Sequence, residues 1–166
     1  MESITKLLAK ELEQEANTTR KMLSIVPNDK YSWKPHEKSM VMKSLVTHIA
    51  DLPSWPELIL RTTELDFANN THQIDDVNNT VALIDFFDRS VEKSLNALEN
   101  AKVEALDEMW TLRSGDQIFS TDTKYEVIRM SIAQQIHHRA QLGVYLRLLN
   151  IPIPGSYGPS ADDQTF

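Results

Sequence analysis

Residues Ser131 to Asn150 read SIAQQIHHRAQLGVYLRLLN, and their periodicity decides the fold. An α-helix turns about 100° per residue, so Ser131, Gln134, His138, Gln141 and Tyr145 fall on one narrow polar stripe. Ile128, Ile132, Gln135, Arg139, Leu142, Leu146 and Leu149 run along one flank, and Met130, Ala133, His137, Ala140 and Val144 along the other. An imidazole and two amides between such flanks are expected to point toward the interior of a helical bundle, where imidazole needs a hydrogen-bond partner or a metal. A satisfied hydrogen bond is the commoner outcome.

Outward from this stretch, Thr123-Lys124-Tyr125-Glu126 is a capping box that opens the helix, and Asn150 with Pro152, Pro154 and Gly155 closes it. Tyr157 is the expected anchor of the tail that runs to Phe166, whose last few residues are expected to be mobile. Upstream, the helical period fails from Lys102 to Asp122, and Ser114-Gly115-Asp116 between two apolar triplets predicts a small hairpin or irregular excursion. Asn79 or Thr80 caps a third helix with Ile84, Phe87, Val91, Leu95 and Leu98 as its apolar stripe. Asp66 to Asn79 is polar and aperiodic, a surface loop in which His72 is expected to be exposed and without a role.

Ser39 is the expected cap of a second helix with Val41, Leu45, Ile49 and Leu52 on its apolar face, which turns His48 inward. Pro53 and Pro56 interrupt it, and Ser54-Trp55-Pro56-Glu57 offers a capping box that restarts it. This predicts one kinked helix or two abutting ones ending near Thr63. Residues 3–26 form a first amphipathic helix with Ser3 as N-cap. The connector Tyr31-Ser32-Trp33-Lys34-Pro35-His36 is expected to be ordered, with His36 as a local hydrogen-bond partner.

The 166 residues suit one domain, 1–166, able to bury about 70% of its unfolded surface. With no cysteine there is no disulfide, Cys-ligated zinc, Cys nucleophile or iron–sulfur cluster, which leaves His, carboxylate and amide groups as metal ligands. A formal charge of −7 argues against a phosphate-neutralising surface, so no nucleic-acid partner is expected. No stretch approaches 18 apolar residues and the N-terminus has no signal-peptide core, so a cytoplasmic protein without a membrane partner is expected. Amphipathic helices joined by connectors of unequal length predict an all-α four-helix bundle with a hairpin-like insertion before the last helix.

The string His137-His138-Arg139-Ala140-Gln141-Leu142, followed by Tyr145-Leu146-Arg147, Pro152, Pro154 and Tyr157-Gly158-Pro159-Ser160-Ala161-Asp162, resembles the DinB family of the DinB/YfiT-like superfamily. So do Trp33-Lys34-Pro35-His36-Glu37-Lys38-Ser39, Thr47-His48-Ile49-Ala50 and Glu64-Leu65-Asp66-Phe67-Ala68, in the same order along the chain. The resemblance implies an up-down-down-up bundle, often a homodimer, with a divalent metal (nickel, zinc or iron) held by one histidine of the second helix and two of the last. By position these are His48, residue 134 and His138. At 134 this chain has Gln134, whose neutral carbonyl oxygen is a poorer ligand than imidazole for a transition metal. His137 lies on the other side of that stripe and suits an interhelical hydrogen bond better; Arg139 suits a carboxylate partner, and Gln141 and Tyr145 suit positions around the pocket.

Two functional expectations follow. In one, His48, His138 and a weakly ligating Gln134 hold a metal that serves thiol-transfer or hydrolytic chemistry on a small-molecule or thiol substrate, as the resemblance implies. In the other, the same three residues form a hydrogen-bonded polar cluster in a metal-poor homodimeric binding or stress-related module, as Gln134 favours.

Overall fold

The computed structural model describes residues 2–69 and 72–165. Its helices are α1 (Ile4–Ser24), α2 (Met42–Asp51), α3 (Trp55–Arg61), α4 (Thr80–Asn100) and α5 (Lys124–Leu148), and its strands are β1 (Glu64–Asp66), β2 (Met109–Ser114) and β3 (Gln117–Thr123). A 3-10 turn, Leu52–Ser54, joins α2 to α3, so the prolines divide the second helical unit as the sequence predicts. The chain is thus mostly helical with a small sheet, where the sequence led us to expect an all-α fold. No helix among the described residues is long and apolar enough to cross a membrane.

Helix α1 packs against α4 and α5, and the α2–α3 unit packs against the same two helices. The interior has two apolar halves. One gathers Leu23, Leu45, Phe87 and Leu146, the other Leu12, Ile59, Trp110 and Ile128. Along both α1 and α5 a buried polar layer falls between them: Glu15 and Thr19 on α1 face Gln135 and Arg139 on α5. Gln135 Nε2 donates to Thr19 Oγ1 at 3.1 Å, and Arg139 reaches Glu15 Oε2 at 2.7 Å. These pairs satisfy the Arg139 guanidinium, the Glu15 carboxylate and the Gln135 Nε2 group, which would otherwise be costly inside a core, while Gln135 Oε1 is buried without a partner among the described residues.

Local chemistry explains most helix ends. Ser3 caps α1, Asn79 caps α4, and Thr123 and Glu126 form the reciprocal box of α5. Two expected caps are replaced. The backbone N–H groups of Met42 and Lys43 donate to the carbonyls of Trp33 (2.8 Å) and Tyr31 (2.9 Å), so the ordered connector does the work assigned to Ser39. Ser54 is helical and its hydroxyl donates to Asp51, while Ser94 of α4 accepts from the Glu57 N–H at 3.1 Å. His36 is a local partner as expected, accepting from the Lys38 N–H at 3.1 Å.

The excursion before α5 is the predicted hairpin, turning at Ser114-Gly115-Asp116 with Gly115 at φ 57°, a left-handed conformation that suits glycine. The sequence did not predict that Glu64–Asp66 would join it as a parallel strand beside β2. Asp66 explains the attachment. Its carboxylate accepts from the Gly115 N–H at 2.8 Å and the Ala68 N–H at 2.9 Å, and these bonds hold its pKa below the ordinary range. Trp110 then ties the sheet to the helices, packing near Trp55 and donating to Thr62 Oγ1 at 3.0 Å.

On α4 the buried arc is centred nearly one residue earlier than expected: Leu83, Phe86, Phe87, Ser90, Ser94 and Leu98 are buried, while Ile84, Val91 and Leu95 are half-buried. The helix packs against α1 on one side and α2–α3 on the other, and serines on the second side allow close approach. The expected surface loop after β1 includes residues 70 and 71, which lie outside the described residues, as does Phe166.

Candidate functional site

His48 is carried by α2 between core residues Leu45 and Ile49, which fixes its direction toward α5. On α5 the core flank Ile132, Gln135, Leu142 and Leu146 is buried, and the neighbouring stripe carries Gln134, His138 and Gln141 half-buried. The opposite flank differs from the expectation: Ala133, His137, Ala140 and Val144 face solvent. The polar stripe therefore lies at the rim of the helical core, reachable from outside, rather than in its interior. The residues on either side decided this, because small Ala133 and Ala140 leave too little apolar surface to demand cover.

At that rim the imidazoles of His48 and His138 meet edge to face, with ring centroids 4.6 Å apart and planes at 77°. Gln134 Nε2 donates to the Met130 sulfur at 2.8 Å. His138 Nδ1 lies 3.0 Å from Gln141 Oε1, and Gln141 Nε2 lies 3.0 Å from His137 Nε2. With the amide oriented this way, Nδ1 of His138 carries the proton and Nε2 keeps its lone pair. Burial pushes the pKa of His48 down, and the neighbouring His138 pushes it further; the polar side chain of Gln134 and the charge of Asp51 act the other way. His48 is therefore neutral at pH 7.

The three residues singled out from the sequence are thus brought together. Two imidazoles on separate helices and an adjacent amide are groups that a divalent transition metal can take, since the ligating form of histidine is neutral, as His48 is, and a ligating ring commonly donates its other N–H to a fixed acceptor. The set is short of acids and imidazoles: among the described residues no group of three or more His, Cys, Asp or Glu side chains is placed to hold a metal ion. The rim offers at most two imidazoles and the Gln134 amide oxygen, a poor donor set for such a metal.

Sequence reasoning missed a second polar centre one turn away. Asp51 is 2% exposed, and its carboxylate accepts from Ser54 Oγ at 3.2 Å and Trp55 Nε1 at 3.1 Å. His72, expected to be exposed and idle, lies with Nε2 2.7 Å from Asp51 Oδ1 and its side chain 15% exposed. A buried carboxylate needs such a partner, and the loop folds inward to supply it. The signal was Asp51 itself, an acid set among Ile49, Ala50 and Leu52 on the apolar face of α2.

Arg139 lies in the polar layer, not at the histidine pair. It donates to Glu15 and, at 2.9 Å, to the Tyr157 hydroxyl, which in turn donates to Glu15 at 2.8 Å. The expected tail anchor thus rests on the expected carboxylate partner. Tyr145 is buried at the other end of the stripe, donating to the Met40 carbonyl and meeting Trp33 edge to face.

The sequence model of the DinB family matches residues 1–165. The uncharacterized protein YjoA of Bacillus subtilis is 28% identical over 134 residues, 79% of this chain and 81% of that protein. The crystal structure of that DinB-like protein superposes with a TM-score of 0.70 at 20% identity, covering 96% of this chain and 99% of the other. A member of the family from Exiguobacterium sibiricum gives 0.69 at 18% identity, with 93% and 97% covered, and a DinB-like protein from Bacillus cereus gives 0.65 at 17%, with 90% and 95% covered.

Proposed function

The chain belongs to the DinB family, and from that premise we propose that it binds a divalent transition metal weakly at the rim of the helical core, through His48, His138 and the carbonyl oxygen of Gln134. The observation that carries this reading is the 4.6 Å approach of two imidazoles from separate helices. Neutral His48 is ready to ligate without losing a proton, and Gln141 holds His138 in the tautomer that leaves Nε2 available. A nickel, zinc or iron ion there would lower the pKa of a water or thiol and supply a nucleophile at neutral pH. Exposed Ala133 and His137 leave a side by which a small thiol or hydrolysable substrate enters. The up-down-down-up arrangement and pairing of two copies belong to the same proposal.

Replacing the third imidazole by an amide makes this site exchangeable. Loss of an outer-shell partner alone lowers metal affinity about 10–100-fold, and loss of a direct ligand lowers it further. A second reading rests on the amides: Gln134 already donates to Met130 and Gln141 bridges His138 and His137, so the cluster is held with no metal and the domain acts by binding a partner.

The test is metal content by mass spectrometry of protein purified without tag or chelator, beside Gln134→His. Loading of the natural protein supports the first reading, with the variant binding at least about a hundredfold tighter. An empty natural protein beside a loaded variant assigns the second. If both stay empty in the presence of added nickel, zinc and iron, metal binding at this rim is refuted.

A further inference from the structure

On α5, about 140° round the helix from His138, lies a cavity that the histidine pair does not use. It has a volume of about 430 Å³ and sits between the second half of α5 and the tail, Ile153 to Ser160. Volumes of roughly 300–1,000 Å³ with apolar walls and a few convergent polar groups are those of small-molecule sites. Met22, Ile136, Val144, Leu148 and Pro154 supply the apolar wall here.

Two glycines make the cavity. Gly143 is buried in the middle of a 25-residue helix with ordinary helical backbone, where glycine is disfavoured relative to alanine. Packing does not demand it, since a Cβ there would meet only Met22 Cε, at an ordinary 3.8 Å. What its missing side chain leaves is the floor of the cavity. Gly155 is required for another reason: a Cβ would stand 2.7 Å from the Gly158 carbonyl oxygen, so the tail can close its tight loop only without one. That loop is held by Ser160 Oγ donating to the Ile153 carbonyl at 2.6 Å and by the Asp162 carboxylate, which accepts from Arg147 and from the Ile153 N–H. These bonds fix the opposite wall of the cavity.

The charged groups that line the cavity are both guanidinium, those of Arg139 and Arg147, and the acids that pair with them, Glu15 and Asp162, do not line it. The hydroxyls of Tyr157 and Ser160 that also line it already donate to Glu15 and to the Ile153 carbonyl. Arg139 is buried with its charge compensated, whereas the side chain of Arg147 is 44% exposed and engages Asp162 through Nη2 alone, which leaves further N–H donors for a ligand. We propose that this cavity binds a small amphiphilic carboxylate, its hydrocarbon part over Gly143 and its carboxylate on Arg147. A guanidinium recognises a planar carboxylate through two parallel N–H donors, which a neutral alcohol cannot match.

The experiment is a ¹H–¹⁵N NMR titration of the full chain with sodium octanoate, and with octan-1-ol as the uncharged counterpart. Saturable shifts at Gly143, Gly155 and Gly158 are expected with octanoate, at least about tenfold tighter than with octan-1-ol, because a hydrogen-bonded charge contributes that much. Arg147→Gln should remove that preference, and Gly143→Leu should abolish binding by filling the floor. Gly143→Ala, which favours the helix, should weaken binding while leaving the protein folded, and so serves if the leucine variant does not fold. Equal binding of octan-1-ol, shifts unaffected by either Gly143 substitution, or unsaturable shifts at exposed Ile118 and Phe119 instead would overturn the proposal.

Discussion

Replacing Glu15 by methionine should destabilise the chain severely, and replacing Arg139 as well should restore most of the loss. The Arg139 side chain is 3% exposed and that of Glu15 is 10% exposed, so both charges lie outside bulk water. Arg139 Nη1 donates to Glu15 Oε2 at 2.7 Å, to the Glu15 carbonyl at 3.2 Å and to Thr19 Oγ1 at 3.2 Å, and Nη2 donates to the Tyr157 hydroxyl. In Glu15→Met the guanidinium stays buried without its carboxylate, and breaking such a pair costs about 3–5 kcal/mol. A domain of this kind has a total stability of about 5–15 kcal/mol, so the variant loses a large part of it. At about 2–4 °C per kcal/mol for a domain of this size, the melting temperature falls by roughly 6–20 °C.

Arg139→Met leaves a carboxylate that is nearer the surface and still accepts from Tyr157, so about 2–4 kcal/mol is expected. In the double variant two apolar side chains of similar length occupy the polar layer and no charge is stranded. Its cost should be about 1–2 kcal/mol, because apolar replacement of a buried pair is often close to neutral. Urea unfolding followed by the fluorescence of Trp33, Trp55 and Trp110 measures all three. The sum of the single effects should exceed the double by at least about 2 kcal/mol. Additivity within about 0.5 kcal/mol would refute the reasoning, since independent sites add to that accuracy.

Three further outcomes are expected. Gly143→Ala should raise stability by about 0.5–1 kcal/mol in the same urea assay, as the helix propensity gained meets no clash. Thr123→Ala should cost about 1 kcal/mol by removing the side chain that receives the Glu126 N–H at the start of α5, and a Tm unchanged within a degree or so would deny the cap that role. The hydrogen bond to Asp51 raises the pKa of His72 above its ordinary 6.5, aided by the charges of Asp51 and Glu57 and opposed by burial and Arg61. The folded state thus holds the proton more tightly, so the stabilisation is complete below pH 6.5 and is lost as pH rises through the folded value. Between about pH 6 and pH 8 the urea midpoint of the natural protein should fall further than that of His72→Gln; equal slopes would contradict this.

How much of this was legible in the sequence depends on where each signal lay. The helix of residues 80–100, the capping box at Thr123 and the hairpin at Gly115 rest on local patterns, and the structure keeps them. Ser39 and Ser54 carried equally good local signals and were passed over, because carbonyls of Tyr31 and Trp33 and the Ser94 hydroxyl reach the same N–H groups from elsewhere in the chain. Strand β1 has only three residues, and its pairing with β2 across more than forty positions has no local signature. His72 was misread for the same reason: a histidine in a polar run looks solvated until the acid that draws it inward is placed. The meeting of His48 and His138 was legible because each sits on the inward side of its own helix, whereas the depth of the site was not, since that depends on what covers Ala133 and Ala140.

Helix α5 joins these observations. Its buried arc carries Ser131, Gln135 and Arg139, and its exposed arc carries Ala133, Ala140, Val144 and Leu148, so the usual apolar-inside pattern is blurred along its whole length. A helix that served packing alone would gain from reversing these choices, with leucine at 135 and 139 and lysine at 144 and 148. Departures of this kind concentrate where a protein holds something besides its own core. On α5 they fall in two places on nearly opposite sides, the rim where His138 meets His48 and the floor that Gly143 leaves open beneath the tail. Arg139 lies between the two, tying the tail to α1 through Glu15 and Tyr157. Loss of the Arg139–Glu15 pair should therefore reach the cavity through Tyr157 while leaving the His48–His138 contact in place, because that contact is set by Leu45, Ile49, Ile132 and Leu142, none of which touches the pair through a hydrogen bond.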